Sequence, residues 1–259
     1  MENNESDYTT ITYVVNGKAL SQFLKGISSL VNSCRLTLNV DGSWLVSQAN
    51  VAKTTLIRAE LSNKDCIMMG TPLEHTVTIG LVDMSRFKPI MTEIGKFSSA
   101  VVEFKKERPN QTVKFTVGVM EFSFTTNDYR TVHESHKVPD ICPANTFVVE
   151  GVHFKEHLKR AMKYSCTDLW YSDSVLSLIS RNIDQDETNS SKYTVHIWGG
   201  SGDFRSNLAM KFFKPVVNSL PKTDVTVYLG NDMNVAFKTE TPNGSSVMYY
   251  IAPRIESHR

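Results

Sequence analysis

The chain repeats itself, and this repeat limits its possible folds more than any other feature. The segment YVVNGKALSQFLK at 13–25 aligns with FVVEGVHFKEHLK at 147–159, at a spacing of 134 residues. A second pair, MSRFKPIMTEIGK at 84–96 and MKFFKPVVNSLPK at 210–222, aligns at a spacing of 126 residues. Two matches in the same order and at nearly the same spacing indicate that one structural unit occurs twice. The 259 residues are enough for two domains of ordinary size.

The segments between the repeated motifs alternate apolar and polar residues with a period of two. Examples are HTVTIGL, KYTVHIW and DVTVYLG, which are rich in β-branched and aromatic residues as strands are. Asp41 with Gly42, and PNGSS at 242–246, predict hairpin turns. Many strands joined by short turns predict antiparallel sheets, and the repeated motifs predict two helices in each copy. The predicted fold class is therefore α+β, with two similar domains that each pack two helices on antiparallel sheets.

Each of the four predicted helices has an apolar stripe when residues are placed at about 100° steps, and this stripe should pack on a sheet. The stripes consist of Leu20, Phe23, Leu24, Ile27, Leu30 and Val31; of Phe87, Ile90, Met91, Ile94 and Phe97; of Phe154, Leu158, Ala161 and Met162; and of Leu208, Phe212, Phe213, Val216, Val217 and Leu220.

The opposite helix faces are basic, with Glu93 and Glu156 as the acidic exceptions. Their cationic residues are Lys18, Lys25, Lys88, Lys96, Lys159, Arg160, Lys163, Lys211 and Lys214. One interpretation is an ordinary solvated surface. The other is a DNA-binding surface, because the whole chain has a formal net charge of only +1 and yet all four helices are basic on one side. Scattered lysines suit phosphate contacts, which position a protein on a duplex without reading its sequence.

The remaining polar residues show no pattern typical of an enzyme or a metal protein. The four cysteines form no C-x-x-C pair, so neither a zinc site nor a disulfide framework is predicted. His133, His136, His153 and His157 suggest a metal cluster, but no third ligand type recurs at matching spacing. We therefore predict a non-catalytic protein without metal or cofactor. No apolar run is long enough to span a membrane, and the polar start lacks a signal-peptide pattern, which predicts an intracellular protein without membrane partners.

The segment VMYYIAPRIE at 247–256 reads as a strand followed by an apolar, proline-containing tail. Chain ends are usually polar and loosely held. Two interpretations remain open on the residues alone: the tail packs in the core, or it forms part of a docking surface.

Together these features resemble the proliferating cell nuclear antigen type of sliding DNA clamp, over nearly the whole chain. The most specific motif is YYIAPRIE at 249–256, which is similar to the C-terminal signature of that family. The segment DYRTVHESHKVPDICPANTFVVEG at 128–151 is similar to its interdomain connector. The resemblance implies a clamp fold with an N-terminal domain at 1–127, a connector at 128–145 and a C-terminal domain at 146–259.

The resemblance further implies a ring, usually of three identical subunits, whose helices line a hole occupied by double-stranded DNA. Twelve helices about 10 Å wide give a ring about 38 Å across at the helix axes, and about 28 Å of free width. A duplex passes through such a hole with room for water. The implied function is a polymerase processivity factor at the site of DNA replication. The alternative is a clamp-fold regulatory subunit that is monomeric or hetero-oligomeric and is not itself a processivity factor.

In the family, DNA polymerase, clamp loader, ligase and nuclease bind an apolar pocket through short peptides with aromatic anchors. The resemblance assigns this pocket to residues of the tail, the connector and one loop. These residues are Tyr250, Ala252, Pro253, Arg254 and Ile255; Val138, Pro139 and Ile141; and Ala49, Asn50 and Val51.

The family closes its ring by pairing an edge strand of one subunit with an edge strand of the next. MEFSFTTN at 120–127, with Phe122 and Phe124, matches the first of these strands. For the second strand we favour 193–198, with Tyr193, Val195 and Ile197, over SRNIDQDE at 180–187, because an alternating β-branched edge is the better template. The first helix departs from the family, since Ser21 and Gln22 stand where lysines are expected, and this predicts weak DNA contact there.

Overall fold

The structure is a computed structural model that describes residues 9–105, 110–139, 141, 146–172, 175–181, 193–196, 202–231 and 233–254, with the backbone alone at 181 and 193–196. Its residues cluster into two compact units. The first unit takes its residues from Met1–Gln48, Arg58–His136 and Glu240–Val247, and the second from Ala49–Ile57, Lys137–Thr239 and Met248–Arg259. The domain boundaries at 127 and 145 stay a prediction.

The first unit contains two helices and two sets of antiparallel strands. Its elements are β1 (Thr10–Asn16), α1 (Gly17–Leu30), β2 (Ser33–Leu38), β3 (Trp44–Ala49), β4 (Thr55–Leu61), β5 (Cys66–Met69), β6 (Val77–Val82), a 3₁₀ turn (Met84–Phe87), α2 (Lys88–Ile94), β7 (Ser99–Lys105), β8 (Thr112–Val117) and β9 (Met120–Thr125). One set of strands runs β5-β1-β7-β8-β9 and the other β4-β3-β2-β6. Helix α1 packs against α2, β1 and β7. The residues of β3 and β4 that flank their loop, Ala49 and 55–57, cluster with the second unit.

The second unit has the same composition. Its elements are β10 (Thr146–Val149), α3 (Gly151–Ala161), β11 (Cys166–Ser172), β12 (Val175–Arg181), β13 (Tyr193–His196), β14 (Phe204–Ala209), α4 (Met210–Ser219), β15 (Val225–Tyr228), β16 (Val235–Glu240) and β17 (Ser246–Ile251). Its strands run β13-β12-β11-β14 and β10-β15-β16-β17. Helix α3 packs against α4 and β12, and α4 packs against β14.

The repeated glycines occupy equivalent positions and explain why the motif recurs. Gly17 and Gly151 are the first residues of α1 and α3. A Cβ at Gly17 would overlap main-chain carbonyls that follow α2, and one at Gly151 would overlap the Thr223 carbonyl, which follows α4. In each unit the start of one helix therefore touches the chain that leaves the other helix, and only glycine fits there.

The end of the second helix in each unit is held by a side chain from the first helix. In the first unit Ser21 Oγ donates to the carbonyl of Met91 at 2.6 Å. In the second unit Lys155, one repeat later, donates through Nζ to the carbonyls of Asn218, at 3.2 Å, and Leu220. The lysine bonds go to carbonyls at the C-terminal end of α4, where a helix leaves main-chain carbonyls without helical partners. The Met91 carbonyl accepts from the Gly95 N–H at 3.2 Å as well as from Ser21. Ser21 is thus buried, and a lysine at its place would contact a helix end.

Aromatic residues fill the core of each unit. In the first unit Trp44 lies edge-on to Tyr13 and to Phe104, with ring centroids 5.2 and 5.4 Å apart. In the second unit Phe237 stands 5.8 Å from Phe154 and 5.0 Å from Phe213. Edge-on and offset geometries of this kind stabilise aromatic pairs beyond the burial of their area.

The helix stripes were predicted with some errors at their ends. Phe97 lies beyond the end of α2 and is 37% exposed, because the chain turns at Gly95 and places the ring over Gly118. Leu208 is buried but belongs to β14. The remaining exceptions are only half-buried, and they are Leu30, Val31, Met162 and Phe212.

Candidate nucleic-acid and peptide-binding sites

An apolar cluster in the second unit brings together residues from the three segments that the resemblance assigned to a peptide pocket. Its buried members are Leu56, Ala236, Met248 and Tyr250. The partly buried residues that pack against them are Ala49, Val138, Ile141 and Tyr228. Of the predicted pocket residues, Ala49, Val138, Ile141 and Tyr250 thus share one cluster. Leu56, Tyr228, Ala236 and Met248 complete it, although the sequence did not single them out.

Tyr250 lies inside this cluster and is only 5% exposed. Its hydroxyl donates to the Met248 sulfur at 3.1 Å. A buried tyrosine needs a partner for its hydroxyl, and the sulfur acceptor meets this need inside an apolar surrounding. Tyr250 therefore forms the floor of the cluster, and the half-buried Val138, Ile141 and Tyr228 leave part of the apolar surface accessible.

The loop between β3 and β4 is shaped by Asn50. Asn50 Oδ1 accepts from the main-chain N–H groups of Thr54 and Thr55, at 2.9 and 3.2 Å. Its Nδ2 donates to Thr54 Oγ1 at 3.1 Å. Asn50 thus fixes the turn, while Val51 at its tip is completely exposed. Of the predicted loop residues, Ala49 packs on the cluster, Asn50 is structural and Val51 is free for contact.

The C-terminal tail leaves β17 and is fixed by two main-chain hydrogen bonds. The Ala252 N–H donates to the carbonyl of Thr54 at 2.9 Å, and the Arg254 N–H donates to the carbonyl of Asn207 at 2.7 Å. Ala252, Pro253 and Arg254 are half-buried. Ile255 lies outside the described residues. The tail therefore runs next to the loop that Asn50 shapes and along β14.

The first half of the predicted connector is held inside the first unit. Arg35 donates from Nε and Nη2 to the carbonyl of Val132, at 3.1 and 2.9 Å. Ser47 exchanges two bonds with His136: its hydroxyl donates to the His136 carbonyl at 2.6 Å, and its own carbonyl accepts from the His136 N–H at 3.1 Å. Pro139, beyond this point, is half-buried.

All nine basic residues that were predicted to contact DNA are exposed. Lys18 and Lys25 lie on α1, Lys159 and Arg160 on α3, and Lys211 and Lys214 on α4. Lys88 is the first residue of α2. Lys96 and Lys163 lie in the turns that follow α2 and α3, so they are corrected from helical to turn positions.

Some of the basic side chains on the helices interact with neighbouring groups that offset or hold their charge. Lys96 Nζ lies 2.7 Å from Glu93 Oε1, and this exposed ion pair offsets its charge. Lys211 Nζ stands over the ring of Phe212, 4.7 Å from its centroid. Burial and the nearby Arg160 guanidinium lower the pKa of His157, which favours its neutral form at physiological pH. The exposed positive charge of α3 at neutral pH therefore comes from Lys159 and Arg160, while the half-buried Lys155 directs its ammonium group to carbonyls at the end of α4.

The predicted edge strands are edges of their sheets. Strand β9 is the last strand of β5-β1-β7-β8-β9, and β13 is the last strand of β13-β12-β11-β14. Phe122 and Phe124 on β9 are half-buried, and Phe124 stacks on Phe87 with ring centroids 4.1 Å apart. The side chains of Tyr193 and Val195 lie outside the described residues, as does Ile197. Glu121, Ser123 and Thr125 are the exposed side chains of β9.

The described part of the chain contains neither a metal-binding cluster nor a membrane-spanning helix. No group of three or more His, Cys, Asp or Glu side chains there is placed to hold a metal ion. In that same part, none of the helices has the length and apolarity required to cross a membrane. The acidic segment with Asp184, Asp186 and Glu187 lies outside the described residues.

Comparisons with known proteins support the resemblance. No protein-family model matches the chain. A DNA polymerase sliding clamp of Methanocorpusculum labreanum is 28% identical over 250 residues, which cover 90% of this chain and 94% of that protein. A DNA polymerase sliding clamp of Archaeoglobus fulgidus is 26% identical over 252 residues, covering 95% of this chain and 99% of that protein.

Solved structures confirm the predicted fold class. The structure titled as the C-terminal region of FEN-1 bound to A. fulgidus PCNA matches 96% of this chain and 100% of the other chain, with a TM-score of 0.78 at 20% identity. The aligned residues include both units, and only a small part of this chain lies outside the alignment. The chain is therefore similar in sequence to DNA polymerase sliding clamps, and it has the α+β clamp fold of PCNA.

Proposed function

We propose that this protein is a DNA sliding clamp, a non-catalytic processivity factor that encircles duplex DNA and tethers replication and repair enzymes. The observation that carries the proposal is the apolar cluster around Tyr250. It joins the connector, the end of β3 and β17, in a chain similar to sliding clamps in sequence and fold. The nine exposed cationic residues of the helices support contact with DNA.

DNA contact is proposed to be electrostatic and independent of sequence. The cationic residues of the four helices are mostly lysines, which act as point charges toward phosphates and carry no sequence information. Each phosphate contact releases counterions, so retention on DNA should fall as the salt concentration rises. The topological linkage of a closed ring, rather than affinity, would keep the protein on DNA.

Charge reversal tests the DNA-facing role of the helices. The triple variant Lys88→Glu, Lys159→Glu and Lys214→Glu should lose loading or retention on circular DNA at low salt. A single-site control is Lys64→Glu, since Lys64 is exposed in the β4–β5 turn and is not a residue of any helix. Equal loss in the control would show a general charge effect, and no loss in the triple variant at low salt would refute the proposed helix contacts.

Partner binding is proposed to use the cluster around Tyr250 as a pocket for a peptide with aromatic anchors. The relative from A. fulgidus was solved with the C-terminal region of FEN-1 bound, which supports a short peptide as the occupant. A few buried aromatic anchors supply most of the binding energy in interfaces of this kind. DNA polymerase, clamp loader, ligase and nuclease are the proposed sources of such peptides.

A calorimetric titration tests the pocket. A short synthetic peptide with two adjacent phenylalanines should bind the wild type, and Val138→Glu or Pro253→Glu should abolish its binding by placing a charge in an apolar site. Val148→Glu is the control, because Val148 is 59% exposed on β10 and is not among the cluster residues. Unchanged affinity in both pocket variants would remove these residues from the site.

Ring closure is proposed to pair β9 of one subunit with β13 of the next. Both strands present open edges, and strand addition satisfies the unpaired main-chain groups of such edges. Sedimentation of the purified protein at micromolar concentration should give a homotrimer. A stable monomer would instead favour the regulatory or hetero-oligomeric subunit.

A further inference from the structure

A buried carboxylate lies on β11, the strand next to β14, to which the tail is hydrogen-bonded. Asp168 on β11 has a side chain that is only 3% exposed. Its Oδ1 accepts from Asn207 Nδ2 at 2.6 Å, and its Oδ2 accepts from Arg205 Nη2 at 2.9 Å. Both donors lie on β14, and Asn207 is directly opposite Asp168 in the β11–β14 register. The carboxylate therefore fixes β14 through side chains as well as through the sheet.

Asn207 connects this carboxylate to the tail. Its side chain donates to Asp168, and its main-chain carbonyl accepts from the Arg254 N–H at 2.7 Å. Asn207 is the point at which the tail bonds to β14, whereas the bond of Ala252 goes to Thr54 in the β3–β4 loop. The position of the Asn207 main chain thus decides where Arg254 lies.

The side-chain oxygen of Asn207 is energetically unfavourable where it lies, and this indicates that the N–H group of the same amide has a role. Its Oδ1 is buried and has no hydrogen-bond partner among the described residues. A buried acceptor without a partner costs free energy, so a side chain kept only for packing would be better apolar. The amide is therefore retained for its N–H group, which bonds to Asp168.

We infer that Asp168, acting through Asn207, is a positioning residue that holds the C-terminal tail in register for partner-peptide binding. The inference rests on the proposed peptide-binding function, and it adds two residues that touch neither the peptide nor the apolar cluster. Arg205 has a different role: its guanidinium donates to Asp168 and balances the buried charge, and its main-chain N–H donates to Asn231. The two donors to one carboxylate should therefore differ in their effect.

Hydrogen exchange at the tail tests the positioning directly. In Asn207→Ala and Asp168→Ala, the exchange rate of the Arg254 amide, read from a fragment covering 247–254, should rise about fivefold, since one net hydrogen bond is worth about that factor. The affinity for a synthetic peptide with two adjacent phenylalanines should fall by about the same factor. Arg205→Ala keeps the Asn207 bond, so its tail exchange should stay within about twofold of the wild type.

Asp65 supplies a matched control for loss of a buried carboxylate. Asp65 is 3% exposed and accepts from Thr241, Asn243 and Ser245, at 2.8, 2.8 and 2.6 Å, all within the first unit. Asp65→Ala should lower the melting temperature as Asp168→Ala does, but leave tail exchange and peptide affinity at wild-type values. A merely structural role of Asp168 predicts the same behaviour in both variants.

The outcomes separate this inference from the proposed function. If the wild type binds no aromatic peptide, the proposed function fails, and tail exchange still decides whether Asp168 positions the tail. Unchanged tail exchange in Asn207→Ala overturns the inference, even if Asp168→Ala does not fold. Raised exchange with unchanged peptide affinity overturns its functional part. The inference is supported if tail exchange rises and peptide affinity falls in both Asn207→Ala and Asp168→Ala, while Asp65→Ala changes neither.

Discussion

Replacing Gly17 by alanine tests the physical reason for the repeat. An alanine Cβ would lie 2.5 Å from the Ile94 carbonyl oxygen and overlap the Phe97 carbonyl as well. Side-chain carbons do not approach other atoms closer than about 3.0 Å, so main chain must move by at least half an ångström. Overpacking of this kind costs about 1–3 kcal/mol, and the upper value applies because the obstacle is main chain and not a rotatable side chain.

The assay is thermal unfolding followed by circular dichroism. A loss of about 3 kcal/mol should lower the melting temperature by about 6–12 °C in a chain of this size. Gly230→Ala is the control, because its new Cβ would meet only the Met233 side chain, at 3.0 Å or more, and Met233 is 38% exposed and can rotate. We expect its cost to stay below about 1 kcal/mol. A Gly17→Ala protein as stable as the control would refute the steric explanation.

Three further predictions follow from the packing of the units. Gly151→Ala should destabilise the second unit as Gly17→Ala does the first, with faster hydrogen exchange in α3 than in α1. Lys155→Met should remove the bonds to the Asn218 and Leu220 carbonyls and expose the end of α4 to exchange, at a cost of about 1 kcal/mol, whereas an unchanged exchange rate would mean that water replaces them. Burial raises the pKa of the Cys34 thiol from 9.0 to about 12, so iodoacetamide at pH 8 should label it only after denaturation. Because the folded pKa lies above the unfolded one, the free energy of unfolding should also fall as the pH rises from about 9 to about 12. Cys34→Ala should weaken this fall.

The sequence predicted best what local periodicity and repetition determine. The two aligned motifs located all four helices, and alternation located strands such as β6 and β15. The alternation of apolar and polar residues did not locate β11 and β14, because Thr167, Asp168 and Asn207 interrupt it there. These polar residues are buried because they pair with one another or with neighbouring strands, as Thr167 does with Ser180 at 2.8 Å. Such pairing depends on the strand register, which a single sequence does not reveal.

The candidate peptide site was predicted only as far as the resemblance extends. Ala49, Val138, Ile141 and Tyr250 were assigned by family motifs, and the cluster contains all four. Tyr228 and Ala236 were missed because they lie on β15 and β16, which carry no motif and approach the tail only through sheet pairing. The nine basic residues were predicted to be exposed and are, since lysine on the polar side of an amphipathic helix is a local property.

The tail is attached through peptide groups at both of its fixed points. Neither the bond from Ala252 to Thr54 nor that from Arg254 to Asn207 involves a tail side chain. The path of the tail is therefore largely independent of which residues it carries, apart from a proline at either donor position, which would lack the N–H. Residues 252–254 can consequently change identity, and with it the preferred partner, while the backbone that presents them stays in place.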